Sequence, residues 1–440
     1  MGFILAAAGS AVGLGNIWRF PYTAGENGGG AFVLLYLFFV ALIGVPVLLA
    51  ELSMGRATQK STVGAFKALF PSKAWPWVGG LGVFTGFGIL SFYAVIAGWT
   101  LYYAYQAAVG RFSGDFTPET SGAAFGELTT NGNLLVILTG AFIILTMLVV
   151  RGGIASGIER AAKILMPVFL AVLLALVLRA VTLEGASEGL AFLFKFDFSK
   201  LTPAAVVSAL GQALFSLSIG MGAMITYGSY LSKDENLPAA GITVAFFDTG
   251  IALVGGLIIF PTLFHAGMDP SAGPGLVFVV MPSIFNSMPA GYFFGLAFYL
   301  LLAIAALTST ISLLEVIVAY FVDEHAWSRE KATWVLGTAC FLLAIPSALS
   351  LGANDTLSNM AGGGFLNLAN IIFGNYCLSI GAILICIFVA WKWGVENALA
   401  EMNHGGQLPA PGLWSVMVRF VCPVAVAIVL AYVAFTGNYM

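Results

Sequence analysis

Charge is what this chain has least of. Only 8% of its 440 residues are Asp, Glu, Lys or Arg, against about 25% in an ordinary soluble domain. The 17 basic and 20 acidic side chains are too few to clothe a globule of this length in water. Nor is there an excess of basic charge: the formal net charge is −3, which excludes nucleic-acid binding by bulk attraction to phosphate. Cysteine is sparse as well. Cys340, Cys377, Cys386 and Cys422 all fall within apolar stretches, so they read as small hydrophobes rather than a disulfide framework. The three histidines, His265, His325 and His404, lack the companions of an HExxH or Cys-x-x-Cys motif, and no Gly-x-Ser-x-Gly elbow occurs. No catalytic residue is assigned, and an enzyme is not expected. A long polar stretch is also missing, which excludes a soluble head on a single anchor. What is present is apolar: 60% hydrophobic residues and a mean hydropathy of +0.98. The chain is a polytopic integral membrane protein, expected to form one transmembrane domain over 1–440.

Apolar runs and their polar punctuation predict eleven helical spans, near 3–24, 31–55, 76–108, 133–150, 154–178, 204–231, 237–265, 291–322, 332–350, 365–393 and 413–436. Each is long enough to cross about 30 Å of hydrocarbon. Unbroken runs such as Ala31–Ala50 exclude the alternating pattern of a β-barrel. No basic head with a small-residue cleavage site precedes the first run, so no signal peptide is expected. Lys and Arg are unevenly shared between alternate loops. Arg56, Lys60, Lys67, Lys73, Arg151, Arg160, Lys163, Lys233, Arg329, Lys331 and Lys392 lie on one side; Arg111, Arg179, Lys195 and Lys200 lie on the other. The positive-inside rule then places the N-terminus in the cytoplasm and the C-terminus outside, in a plasma (inner) membrane. The connections 111–132, 179–203, 266–290 and 351–364 read as ordered caps.

The first span carries Gly9, Gly13 and Gly15 within seven residues, followed by Asn16, Arg19 and Pro21. Each glycine weakens a helix by about 1 kcal/mol relative to alanine. Three together invite unwinding, which frees backbone groups that the bilayer tolerates only where they line a cavity or hold a ligand. Close packing through small residues is the alternative. The sixth span repeats the feature with Ser216, Ser218, Gly220 and Gly222. An offset of five spans inverts the second copy in the membrane, the pattern of an inverted-repeat transporter. The repeats are expected near 3–178 and 204–393, with 413–436 as an extra helix. Charges inside spans are functional candidates: Arg19, Glu51, Asp248 and Glu315. Glu51 reads as an acceptor for unwound backbone, with proton transport as the alternative. Asp248 reads equally as cation ligand, countercharge or protonated core carboxyl, and Glu315 as a wetted vestibule residue. Thr308, Ser309 and Thr310 place hydroxyls at mid-span in the eighth helix, either bonded to their own helix or ligating. Gly157 and Pro167 mark a candidate hinge in the fifth span, with a static kink as the alternative.

The run Gly9-Ser10-Ala11-Val12-Gly13-Leu14-Gly15-Asn16-Ile17-Trp18-Arg19-Phe20-Pro21, continued by Glu26-Asn27-Gly28-Gly29-Gly30-Ala31-Phe32, resembles the neurotransmitter:sodium symporter family. Met54-Gly55-Arg56, Trp99-Thr100-Leu101, Gly211–Ser218 and Thr226-Tyr227-Gly228-Ser229-Tyr230 extend the resemblance. It implies an all-α polytopic fold of the leucine-transporter type, with 11 transmembrane helices in a 5+5 inverted repeat and helices 1 and 6 broken. It also implies two Na+ sites. The first would use Ala11, Asn16, Ser216 and the substrate carboxylate, with Asp248 at or within one turn of a further ligand. Where relatives bind chloride, that aspartate would substitute for it. The second site would use Gly9, Val12 and Ala305 carbonyls with Thr308 and Ser309 hydroxyls, the oxygen-only ligation a hard cation takes. Gly13 stands where monoamine carriers have an acidic residue, which implies an α-amino acid substrate. Its carboxylate would meet Leu14, Gly15 and Tyr93, its ammonium Phe215 and Ser218, and its side chain Ile89, Tyr93, Phe215, Met221 and Leu313. Arg19 and Asn370 would form the outer gate through hydrogen bonds. Tyr230 and Asp323 would belong to the inner gate. The expected function is sodium-coupled import of hydrophobic L-amino acids, independent of chloride. A proton-coupled or uncoupled amino acid carrier with the same core is the alternative.

Overall fold

The computed structural model describes residues 11–112, 117–271 and 275–436; Gly9 and Ser10, with the start of the first span, lie outside them. Among the described residues every regular element is helical, and nine helices are long and apolar enough to cross a membrane. They are span 2 (Gly30–Thr58), span 3 (Pro76–Ala108), span 4 (Gly132–Val150), span 5 (Ser156–Val181), span 7 (Leu237–His265), span 8 (Gly291–His325), span 9 (Arg329–Leu349), span 10 (Phe365–Met402) and span 11 (Pro411–Thr436). Spans 1 and 6 are the broken ones, and with them the count is eleven. Span 1 runs as a π-turn, Gly15–Arg19, into the α-helix Phe20–Glu26. Span 6 is split into Pro203–Ser216 and Ala223–Gly228.

Local chemistry sets these boundaries. Pro76, Pro203 and Pro238 sit in the first turn of spans 3, 6 and 7, where a missing N–H costs nothing. Side chains of Thr202, Asn236 and Ser328 cap the next amides at Ala205, Ala239 and Lys331. The split in span 6 follows from backbone that turns left-handed: φ is +54° at Ser218, +88° at Gly220 and +75° at Gly222. Gly222 then stands at the N-terminus of the second segment.

The broken spans occupy the centre. Span 1 packs on span 7, and the first half of span 6 on span 2, while spans 3 and 8 form the most extensive pairing in the molecule. The polar caps are helical too: Pro118–Thr130, Ala186–Phe194 and Met281–Ser287. In span 5, Gly157 lies in a π-turn, Ile154–Ile158, against the connection from span 4. A Cβ there would come 2.2 Å from the Val149 carbonyl oxygen. Pro167 sits inside the continuous helix Glu159–Val181.

Candidate functional site

Unwinding leaves backbone groups that must find partners, and the two breaks find them in neighbouring spans. In span 1 the Gly13 amide donates to Asn16 Oδ1 at 2.8 Å, and the Leu14 amide donates to the Tyr93 hydroxyl of span 3 at 3.0 Å. The Gly15 carbonyl accepts from Gln212 Nε2 of span 6 at 2.7 Å. In span 6 the Gly220 amide donates to Glu51 Oε1 at 2.6 Å. Glu51 therefore does what its position in the sequence suggested: it receives an unwound amide. The Gly222 carbonyl accepts from the Thr62 hydroxyl at 2.9 Å. Span 10 supports the same break by bare contact, since a Cβ on Gly381 would fall 1.9 Å from the Gly220 carbonyl oxygen.

Two oxygen clusters flank the breaks. In one, Asn16 Nδ2 donates to Asp248 Oδ1 at 2.7 Å, to the Asp248 carbonyl at 2.9 Å and to Ser216 Oγ at 3.1 Å. Ser216 Oγ lies 2.8 and 2.9 Å from the two carboxylate oxygens, and the Tyr36 hydroxyl donates to Oδ2 at 3.4 Å. Asp248 is fully buried, and it has no ion-pair partner among the described residues. In the other cluster the Thr308 hydroxyl reaches the Val12 carbonyl at 3.0 Å and the Ala305 carbonyl at 2.9 Å. Span 8 thus meets the break in span 1, and the hydroxyl also keeps the local bond within its own helix. Gly9, assigned to this second group, lies outside the described residues.

Between the clusters sits a small cavity of about 20 Å³, roughly the size of one water by the same measure. It is lined by Ala11, Gly13, Gly15, Ile89, Tyr93, Phe215, Ser216, Ser218, Met221 and Leu313, together with Ser309 and Ser312. No lining side chain is charged. Leu14, expected among these, contributes its amide to Tyr93 but does not line the cavity. Ser312 was not foreseen; its place one turn past Thr308 and Ser309 on the same helix is the signal that would have found it. Beyond Tyr93 and Phe215, a larger cavity of about 530 Å³ opens past Arg19, Phe92, Ile96 and Asn370.

Arg19 corrects an expectation. Instead of bonding Asn370, its guanidinium lies over the Phe215 ring, 4.4 Å from the centroid, and its buried Nη1 has no hydrogen-bond partner. Both residues line the larger cavity, but it is the Phe215 ring rather than the amide that meets the cation. The opposite side is closed by a different set. Glu315, read as a vestibule residue, is fully buried. It pairs with Arg329 and accepts from the Tyr230 hydroxyl, so its burial is compensated. Asp323 accepts instead from the Ser61 amide at 2.6 Å. Glu315→Gln leaves Arg329 without its anion, a change worth about 3 kcal/mol in a buried pair. Asp323→Asn weakens one hydrogen bond, worth about 1 kcal/mol. The expected ranking in thermal unfolding of purified protein is therefore a clearly larger drop for Glu315→Gln. Equal midpoints for the two variants would contradict the ion-pair account.

Two helices broken at mid-membrane around an uncharged cavity, with oxygen clusters at each break, define a secondary transporter of the inverted-repeat class. The sodium:neurotransmitter symporter family model matches residues 1–114 and 121–438, and the chain belongs to that family. Its members are transporters, not enzymes. The uncharacterized sodium-dependent transporter YhdH of Bacillus subtilis is 39% identical over 431 residues, covering 98% of this chain and 95% of the relative. The sodium-dependent nutrient amino acid transporter 1 of Drosophila grimshawi is 27% identical over 496 residues, 98% of this chain and 75% of the relative. The crystal structure of MhsT in complex with L-phenylalanine superposes with a TM-score of 0.91 at 47% identity, covering 98% of this chain and 97% of that one.

Proposed function

We propose that the protein imports hydrophobic L-amino acids, aliphatic and aromatic, with sodium as the coupling ion. The observation that carries this reading is the central cavity: uncharged, half apolar through Ile89, Phe215, Met221 and Leu313, and bounded by the backbone of both breaks at Gly13, Gly15 and Ser218. An α-amino acid needs this combination. Its carboxylate faces Gly15 and the Tyr93 hydroxyl, which the Leu14 amide holds from behind, and its ammonium faces carbonyls near Phe215 and Ser218. An apolar side chain fills the remainder. Met221 is flexible and polarizable, which favours a range of side-chain shapes. L-Phenylalanine bound by MhsT belongs to this substrate class.

Two sodium ions fit the donor chemistry. The first takes the Ala11 carbonyl, Asn16, Ser216 and the substrate carboxylate, with Asp248 beside it. The second takes the Val12 and Ala305 carbonyls with Thr308 and Ser309, and Gly9 completes it. All are oxygen donors, as a hard monovalent cation requires. The buried Asp248 supplies the anion that makes chloride unnecessary. Alternating access follows if spans 1, 2, 6 and 7 move against the rest. The Arg19 side then faces outward and the Tyr230–Glu315–Arg329 side closes the cytoplasmic end, with the N-terminus inside and the C-terminus outside. Arg19 over Phe215, with Asn370 on the wall of the same cavity, acts as the outer gate; Tyr230 with Glu315 and Arg329, and Asp323 on the Ser61 amide, act as the inner one; Gly157 and Pro167 let span 5 yield. The repeats run over about 3–178 and 204–393. Sodium and substrate each stabilise the closed arrangement, so each tightens the other.

The test is uptake of radiolabelled leucine, phenylalanine and tryptophan into proteoliposomes with and without an inward sodium gradient. Accumulation is expected only with sodium. Uptake that survives sodium removal, or follows a proton gradient instead, would replace this mechanism with a proton-coupled or uncoupled carrier on the same core.

A further inference from the structure

The connection from span 5 to span 6 carries a run that the transport mechanism does not use: Phe194-Lys195-Phe196-Asp197-Phe198-Ser199-Lys200. A helix, Ala186–Phe194, ends at its first residue, and the 3₁₀ turn Phe198–Lys200 closes it. Backbone at Lys195 and Asp197 is extended, so successive side chains point to opposite sides. Phe194, Phe196 and Phe198 are 47%, 51% and 66% exposed. Three large aromatic rings in one short segment rarely face water without purpose.

The other side of the run is fixed against glycine. A Cβ on Gly28 would meet Lys200 Cβ at 2.5 Å, one on Gly29 the Phe192 carbonyl at 2.3 Å, and one on Gly30 the Lys195 carbonyl at 2.5 Å. That contact sets the depth of the segment, because Gly30 is the first residue of span 2. The rings therefore stand where hydrocarbon gives way to headgroups. On span 2 itself Leu34 and Phe38 are also open to the surroundings, 37% and 53% exposed. Asp197 is turned onto its own loop, accepting from the Ser199 amide at 3.0 Å and hydroxyl at 2.6 Å. Lys195 and Lys200 form no ion pair among the described residues. An open crevice of about 710 Å³ lies between the two lysines and Phe196, Phe198 and Phe192.

We propose that this segment is an interfacial anchor that docks into the phospholipid headgroup layer at that end of the spans. Its phenylalanines enter the acyl boundary, and Lys195 and Lys200 engage anionic headgroups. Phenylalanine rings presented on the apolar side of an interfacial segment bury at the headgroup–acyl boundary, and lysine can keep its stem in the boundary while its ammonium stays with the phosphates. A protein partner would be expected to meet the rings with apolar surface of its own, whereas the attachment to the first residue of span 2 and the two lysines, which outnumber the one acidic residue of the run, match a lipid surface.

The anchor can be tested without reference to transport. The full chain carrying Phe196→Cys is labelled with a polarity-sensitive fluorophore and reconstituted in phosphatidylglycerol or phosphatidylcholine vesicles, with the unsubstituted chain as the labelling control. Expected are blue-shifted emission, quenching by lipids brominated near the headgroup, and little quenching by aqueous iodide. The shift should be larger in phosphatidylglycerol and lose that preference in Lys195→Gln/Lys200→Gln. Quenching by iodide but not by brominated chains places the segment in water and overturns the anchor. Protection from both quenchers means that a second copy or another protein covers it, and overturns it equally. An identical shift in the two lipids, in protein with both lysines intact, overturns the role of the lysines.

Discussion

Gly13→Ala is expected to abolish amino acid uptake while leaving a folded protein. The added Cβ would lie 2.0 Å from Ser309 Oγ, 3.0 Å from the Tyr93 hydroxyl and 3.2 Å from Ser309 Cβ. None of these can retreat freely. Tyr93 accepts from the Leu14 amide, and Ser309 lies on span 8, which is held by its extensive packing on span 3. Forcing a methyl group into a packed site costs about 1–3 kcal/mol, equivalent to a loss of about five- to 150-fold in affinity. On the proposed sites the loss would fall on substrate and on the second sodium together, because Gly13 lines the cavity and follows directly on the Val12 carbonyl. Uptake into proteoliposomes and substrate binding by the purified protein would both be measured, with the thermal midpoint as the control for folding. Binding within twofold of the unsubstituted protein would show that Gly13 is not a wall of the substrate site.

That expectation could be framed from sequence, because glycines at mid-membrane are visible there. Their exact neighbours are not. Span positions were legible wherever hydropathy alone decides them, as for Pro76–Ala108 and Leu237–His265, and the splits were legible from Gly13, Gly15, Gly220 and Gly222. Boundaries failed where a tertiary contact takes over. Span 10 was expected to stop near 393, but helix continues past Gly394, whose φ is +95°, to Met402. The continuation is held by Glu401, which pairs with the fully buried Arg56 at 2.8 Å. Hydropathy sees only a charge at each end. Glu315 and Arg329 were misjudged for the same reason. They are 14 residues apart across the turn between spans 8 and 9, and only the rotation of both helices brings them together. Arg329 had been counted solely as a charge that orients the chain. Arg19 shows the converse failure: the sequence offered an amide, Asn370, and the fold offered the Phe215 ring. Whether a cation takes an amide or an aromatic face depends on a few ångströms that no motif records.

Asp248→Asn is expected to make uptake depend on chloride. The carboxylate is fully buried, accepts from Asn16 and Ser216, and has Tyr36 as its remaining neighbour. All three are neutral donors. A buried ionised carboxylate without a cation is costly, and hydrogen bonds alone rarely repay that cost. Sodium at the neighbouring oxygens, as proposed, would offset the charge, so that the carboxylate and the ion would stabilise each other. Asparagine keeps the shape and removes the charge, which leaves the ion with an excess positive charge in a low-dielectric site. An anion from solution in the same place restores the balance. In sodium gluconate the variant should therefore fall to roughly a tenth or less of the rate of the unsubstituted protein, a deficit of about 1.4 kcal/mol or more. In sodium chloride it should recover most of it, while the unsubstituted protein responds to neither anion. Robust uptake in both salts would mean that Asp248 is not a countercharge. No uptake in either would mean that the carboxylate is a direct ligand with no substitute. In that case the Asn16–Ser216–Asp248 cluster would serve to hold the ion by geometry, with charge compensation left to the substrate carboxylate.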